Sequence, residues 1–309
     1  MVTILTVSEL YKRANLFISV AQITLIYMIT YFAFSIIKEG NASHINWDYF
    51  ILFALNGLLS FLSLILIYIY EKVFGLVSDV TLLELSNTNT KLLRELNEKA
   101  PGTFQHSMQV ANLAEAAANE IGANSMLVRT GALYHDIGKM LNPMYFIENQ
   151  ATGVNPHNDL SPIDSAKIIT DHVTKGVELA KKYNLPDRII DFIRTHHGTS
   201  SAYYFFKKEQ ELNPDTIVDI KKFQYQGPIP FSKETAILMM CDAAEAASKS
   251  LKNPTALSIS GLIDKIIDKQ MADNQFLNSD ITFREIKVIK KVIKKKLMNI
   301  YHLRLEYPE

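Results

Sequence analysis

The sequence predicts an all-α protein: a two-helix transmembrane hairpin followed by an α-helical globular domain. Three observations carry this. Two consecutive stretches, residues 14–37 and 49–70, contain no charged residue at all. Beyond Pro101 the chain is punctuated by helix caps. No period-2 run is long enough to build a sheet.

The hairpin comes first. Residues 14–37 make 24 uncharged positions and residues 49–70 another 22. Roughly 20 apolar residues cross ~30 Å of hydrocarbon, so both suffice. Each exceeds the apolar core of a signal peptide, and no small-residue cleavage pattern follows. The connection, residues 38–48, suits a tight hairpin, with Trp47 and Tyr49 at its far end where amphipathic aromatics favour the interface. Lys12, Arg13 and Lys72 flank the outer ends and Lys38 stands alone in the connection, which orients the amino terminus and everything after residue 72 towards the cytoplasm.

Residues 74–100 alternate Val77, Val80, Leu82, Leu83, Leu85, Leu92, Leu93 and Leu96 with charged positions. This reads as an amphipathic connecting helix, with a break at Ser86-Asn87-Thr88-Asn89 as an option. It either packs on its own domain or pairs with a second copy to give a homodimer. Residues 101–309 form the globular domain. Thr103 is the expected cap of a helix to Ile121, and Ser125 of one to His135. Ser161-Pro162-Ile163-Asp164 is a cap followed by proline and an acid. Pro186 opens a helix ending at His196-His197 before Gly198. Ser232 caps the helix carrying residues 236–250, and two more follow Thr255.

Composition narrows function. The 309 residues suggest about two units at ~150 residues each. Thirty-two basic against 32 acidic residues argue against a nucleic-acid coat or a disordered chain. A single cysteine, Cys241, excludes an intrachain disulfide and a Cys-based zinc or iron–sulfur centre. Mean hydropathy of +0.04 reflects one greasy segment beside an ordinary one.

The histidines hold the chemistry. Five of eight, His106, His135, His172, His196 and His197, fall at or beside expected helix ends in the globular part, joined by Asp136 and Asp242. A lone histidine is usually a satisfied core residue, but the tandem pairs His135-Asp136 and His196-His197 weaken that reading. Imidazole with carboxylate and no thiolate suits iron or manganese better than structural zinc.

The run ALYHDIGK at residues 132–139, preceded by HSMQVANLAE and followed by IITDHV, IRTHHGTS and MMCDAAEAAS, resembles the HD-domain metal-dependent phosphohydrolases. The order His…His-Asp…His…His-His…Asp resembles their two-metal branch. Two spans feeding such a domain, with NPMYFIENQ and FQYQGPIPFSKETAILM, resemble the bacterial seven-transmembrane HD phosphodiesterases that hydrolyse cyclic di-AMP, the PgpH type. That family has an extracellular domain and seven spans before the HD domain. The resemblance therefore implies a C-terminal fragment or truncated gene product, with Met1 near the start of the sixth span.

The resemblance also implies a site. His106, His135, Asp136 and Asp242 would hold one divalent cation, Mn²⁺ or Fe²⁺; Asp136, His172, His196 and His197 would hold the other, with Asp136 bridging. Phosphodiester hydrolysis by a metal-bridging hydroxide follows, cyclic di-AMP giving linear pApA. Asp136 and Lys139 are the expected catalytic residues. Lys139 is the candidate phosphate contact, the alternative being a favourable place at a helix C-terminus. Rival functions are action on cyclic di-GMP or a nucleoside polyphosphate, and a non-catalytic nucleotide-binding membrane receptor.

Weaker expectations complete the reading. Residues 142–161 either line the site or form an ordinary loop. Tyr203, Tyr204, Phe205, Phe206, Phe223 and Tyr225 offer adenine-stacking faces or, for most of them, core packing. His157, His44 and His302 fit no ligand position, and Cys241 is a buried small hydrophobe. Residues 284–296 carry seven basic side chains on a solvated face or one that meets anionic lipid.

Overall fold

The computed structural model describes residues 13–41, 45–150 and 155–301. Lys12, His44, Gly153 and His302 lie outside them. The chain divides into two compact units, Met1–Leu85 and Ser86–Glu309. Among the described residues every regular element is helical, with one isolated bridge between Ser201 and Gln224.

The first unit is a hairpin of α1 (Arg13–Glu39) and α2 (Asp48–Phe74). Both are long and apolar enough to cross a membrane. Tyr31 meets Tyr49, Phe50 and Phe53, and Phe17 stacks on Phe61. Gly57 lets the helices approach, because a Cβ there would lie 2.7 Å from Thr24 Oγ1. The outer faces stay apolar and uncovered, with Ile51, Leu58 and Ile37 exposed.

A single connecting helix over residues 74–100 does not form. The segment is α3 (Asp79–Ser86) and α4 (Lys91–Lys99), split where Asn89 N–H donates to Asn87 Oδ1 at 2.9 Å. That local turn competes with helix continuation, as asparagine side chains do. Leu92, Leu93 and Leu96 are buried against the second unit's own core, so the α4 half takes the packing role and is not a free dimer face.

The second unit is built around α5 (Pro101–Ile121) and α6 (Ser125–Tyr134). Ala111, Ala114, Ala117 and Ala118 are fully buried, so α6 packs close to α5. Around this pair lie α7 (Pro162–Lys182), α8 (Asp187–Thr195), α9 (Tyr203–Leu212), α10 (Lys233–Ser248), α11 (Ala256–Ala272) and α12 (Phe283–Ile300). Residues 236–241 of α10 are all buried, while α12 contributes the stripe Ile286, Ile289, Ile293 and Leu297.

Two expected caps are corrected. Pro101 opens α5, and Thr103 sits inside its first turn, where N–H donates to Asn149 Oδ1 (3.1 Å) and the hydroxyl to Glu148 Oε1 (3.1 Å). A distant loop thus takes over orphan donors that a cap would satisfy. Asn124, not Ser125, caps α6, its Oδ1 accepting from Leu127 N–H at 2.9 Å. Ser161, Ser232, Thr255 and Thr282 each accept from the amide three residues on.

Candidate metal centre

Five elements deliver the seven expected ligands. His106 comes from the second turn of α5, His135 and Asp136 from just past the end of α6, His172 from α7, His196 and His197 from the turn after α8, and Asp242 from α10. Gly138 makes the convergence possible. A Cβ there would fall on the carbonyl of His172, so only glycine lets α7 reach the His135-Asp136 corner. Gly131 likewise faces the Phe192 ring, seating α8 against α6.

Asp136 lies between two groups of side chains. Its Oδ1 is 3.3 Å from His172 Nε2 and 3.5 Å from His196 Nε2. Its Oδ2 is 3.3 Å from His135 Nε2 and 3.5 Å from His106 Nε2. His106, His135 and Asp242 cluster within 4.8 Å on one side, and His172, His196 and His197 on the other. Both Asp136 oxygens and His135 Nε2 are buried without a hydrogen bond. Lys139 Nζ makes an ion-pair contact 2.8 Å from Oδ2.

The tautomers show what the site fits. His135, His172 and His196 donate Nδ1–H to the carbonyls of Ala132, Ile169 and Ile193, at 2.6, 2.5 and 2.8 Å. Their Nε2 lone pairs therefore point inward when the rings are neutral. His172 and His196 face each other Nε2 to Nε2 at 3.2 Å. Buried lone pairs opposed like this, beside an unsatisfied carboxylate, need a cation. Two divalent cations, one per group with Asp136 between, fit the donor set.

Without a cation, protons divide the site. Burial opposes charge on His135, yet the Asp136 carboxylate outweighs it and raises the pKa to about 10. Burial also opposes charge on His106, but hydrogen bonds to Asp242 and Glu245 raise its pKa. Burial instead pushes His196 down, and His197 further with the help of His196. Burial works against the Asp136 and Asp242 carboxylates too; His135 and Lys139 hold the first well below its usual range, His106 and His135 the second.

Lys139 turns into the site. Its ammonium also meets Glu148 Oε1 at 2.9 Å and lies 5.1 Å from the Phe146 ring centroid. The centre opens into a cavity of about 670 Å³ lined by His106, Lys139, Ile147, His197, Asp242, Lys249 and Lys269 among others. Ile147 is 84% exposed at this wall, so the loop after Asn142 does line the site.

Sequence reasoning missed Glu245, whose Oε2 accepts from His106 Nδ1 at 2.6 Å, and Glu148. Tyr225 is buried and stacks on His197, centroids 4.2 Å apart, rather than presenting a free face. Phe205 and Phe223 are core; Tyr203 and Tyr204 are exposed. His157 donates Nε2–H to Tyr145 O (2.9 Å), packs against Phe205 and belongs to neither ligand group, and Cys241 is fully buried. On α12 part of the basic charge is matched: Lys290 and Lys294 pair with Asp264, and Lys290 also with Asp268.

Comparison with known proteins agrees with this geometry. Residues 103–247 match the HD domain, and residues 1–78 match the family described as a 7TM receptor with intracellular HD hydrolase. The chain is 48% identical over 241 residues to the cyclic-di-AMP phosphodiesterase PgpH of Listeria monocytogenes, covering 78% of this chain and 33% of that protein. It is 45% identical to the Bacillus subtilis PgpH over 240 residues, covering 78% and 34%. The chain thus spans about a third of the length of these relatives. The crystal structure of the L. monocytogenes PgpH HD domain in complex with cyclic-di-AMP superposes with a TM-score of 0.67 at 48% identity, covering 70% of this chain and all of that one. The chain belongs to the HD-domain hydrolases that follow a seven-transmembrane receptor region.

Proposed function

We propose that this chain is a membrane-anchored, metal-dependent phosphodiesterase that opens cyclic di-AMP to linear pApA. The observation that carries the reading is Asp136 standing between two histidine-rich groups, of which His106, Asp242, His196 and His197 line a cavity of about 670 Å³. That volume lies in the range of small-molecule sites. The PgpH relatives and the cyclic-di-AMP complex support the choice of substrate.

His106, His135 and Asp242 would hold one cation, and His172, His196 and His197 the other, with Asp136 offering one oxygen to each. Mn²⁺ or Fe²⁺ suits this donor set. Such a pair would supply Lewis acidity, neutralising phosphodiester charge and lowering the pKa of a water nucleophile. The chain's own part is placement and charge. Lys139, held by Glu148, keeps a fixed ammonium at the cavity wall for a phosphate oxygen. Ile147 and the alkyl stem of Lys269 offer apolar surface to a base. One P–O3′ bond breaks, water supplies the new oxygen on phosphorus, and the ribose leaves with a proton.

The apolar outer faces of α1 and α2 would meet lipid. The flanking Arg13 and Lys72, against Lys38 alone in the connection, support a cytoplasmic side for the hydrolase unit. Incubating purified protein and Mn²⁺ with cyclic di-AMP, cyclic di-GMP and pppGpp, then separating products by chromatography, tests the reading. Linear pApA is expected. No linear dinucleotide from either cyclic substrate refutes it.

A further inference from the structure

His106 is held unlike the other inward-pointing histidines. His135, His172 and His196 each donate Nδ1–H to the backbone carbonyl three residues earlier. A carbonyl fixes the ring but brings no net charge. His106 donates instead to a carboxylate, Glu245 Oε2, at 2.6 Å.

The arrangement follows from helix geometry. Asp242 and Glu245 stand three residues apart on α10, so one face presents both carboxylates to the same ring. Asp242 Oδ1 lies 2.9 Å from Nε2 while Glu245 takes Nδ1, and the imidazole is clamped between them. Glu245 is 1% exposed, and its Oε1 meets Lys249 Nζ at 2.7 Å. Lys249 also lines the cavity.

We propose that Glu245 is a positioning residue that makes the two cation positions unequal. Placed behind His106, it locks the Nδ1–H tautomer and strengthens Nε2 as a ligand at the His106–His135–Asp242 group. It leaves the His172–His196–His197 group untouched. A carboxylate hydrogen-bonded to a ligating imidazole raises that ligand's basicity, and losing such a partner costs about 10–100-fold in metal affinity. Carboxylate charge is accordingly uneven: Asp242 and Glu245 both bear on the first group, and the second has only its share of Asp136. This inference rests on the reading that two cations bind, and not on which nucleotide is cut.

The test uses the full chain in detergent, stripped by chelation and titrated with Mn²⁺ alone, without nucleotide. Equilibrium dialysis gives stoichiometry and affinities, and electron paramagnetic resonance separates coupled Mn²⁺ pairs from isolated ions. The wild type should bind two Mn²⁺. Glu245→Gln keeps shape and hydrogen bond but removes the charge. It should weaken one position by about 10–100-fold and move the other by less than about twofold, so isolated Mn²⁺ replaces the coupled signal at intermediate metal. Glu245→Ala, checked for folding by circular dichroism, should weaken that position at least as much. Adding His172→Ala to Glu245→Gln should then remove the remaining tight site. Equal weakening of both positions, no weakening, or a wild type that binds no Mn²⁺ overturns the proposal. A wild type that binds two Mn²⁺ yet cuts no cyclic dinucleotide would defeat the substrate assignment and leave Glu245's role standing.

Discussion

Gly138 packs directly against the backbone of His172, with no room for a β-carbon between them. The contact joins the corner after α6 to the middle of α7, and so sets one ligand group relative to the other. Gly138→Ala forces the two apart. We expect a loss of about 1–3 kcal/mol from overpacking, roughly 2–4 °C in Tm per kcal/mol for a unit of this size. Thermal unfolding with metal analysis checks it. Unchanged Tm and full metal content would show that the backbone yields without consequence.

Asp136 faces both ligand groups with separate oxygens. Asp136→Ala should lower metal content at both positions and reduce hydrolysis by more than about a hundredfold, beyond the range for an outer partner. His106→Ala should empty one position and His172→Ala the other. Elemental analysis of matched, folded samples decides. Retained turnover in Asp136→Ala would end the bridging assignment.

Glu285 closes the α12 capping box and takes Lys233 Nζ at 2.7 Å. The hydrogen bond from Lys233, then that from the Thr282 amide, lowers its pKa to about 2. A depressed carboxylate stabilises the fold fully above its unfolded pKa near 4.5, and that contribution is lost as pH falls towards 2. Glu285→Gln should therefore lower the urea midpoint at pH 7, by an amount of the order of one helix cap, about 1 kcal/mol. The gap between wild type and variant should shrink steadily below pH 4.5. A gap independent of pH would mean the charge plays no part.

Leu92, Leu93 and Leu96 of α4 lie in the core of the second unit. Each buried leucine contributes about 1.5–3 kcal/mol. A chain beginning at Pro101 should be much less stable than one beginning at Ser86, and prone to aggregate through the uncovered α5 surface. Tm and light scattering on the two chains measure this. Equal Tm would show that α4 packs only loosely.

Much of the candidate centre is legible in the sequence because its residues fall in short runs that resemble the HD family, His135-Asp136 and His196-His197, at the ends of helices. The helical class and the two apolar spans are legible for the same reason: periodicity and length are local properties. What escaped depends on distant pairing. Glu245 acquires its role only because α10 lies across α5, 139 positions from His106. Thr103 looks like a cap until Asn149, 46 positions away, takes its amide. Asn124 beside Ser125 offers two competent caps, and local chemistry does not choose between them.

His106 and Asp242 sit 136 positions apart in the chain and touch at 2.9 Å. Cations bound there would act as a removable crosslink across most of the second unit, present in the folded state alone. Folding and metal supply then become one equilibrium: each cation at a hundred times its Kd adds about 2.7 kcal/mol to stability. Chelation should cost the protein heat resistance as well as turnover, and in a metal-starved cell the unfolded fraction open to proteolysis would rise. The lifetime of the chain would itself report how much metal the cell has to spare.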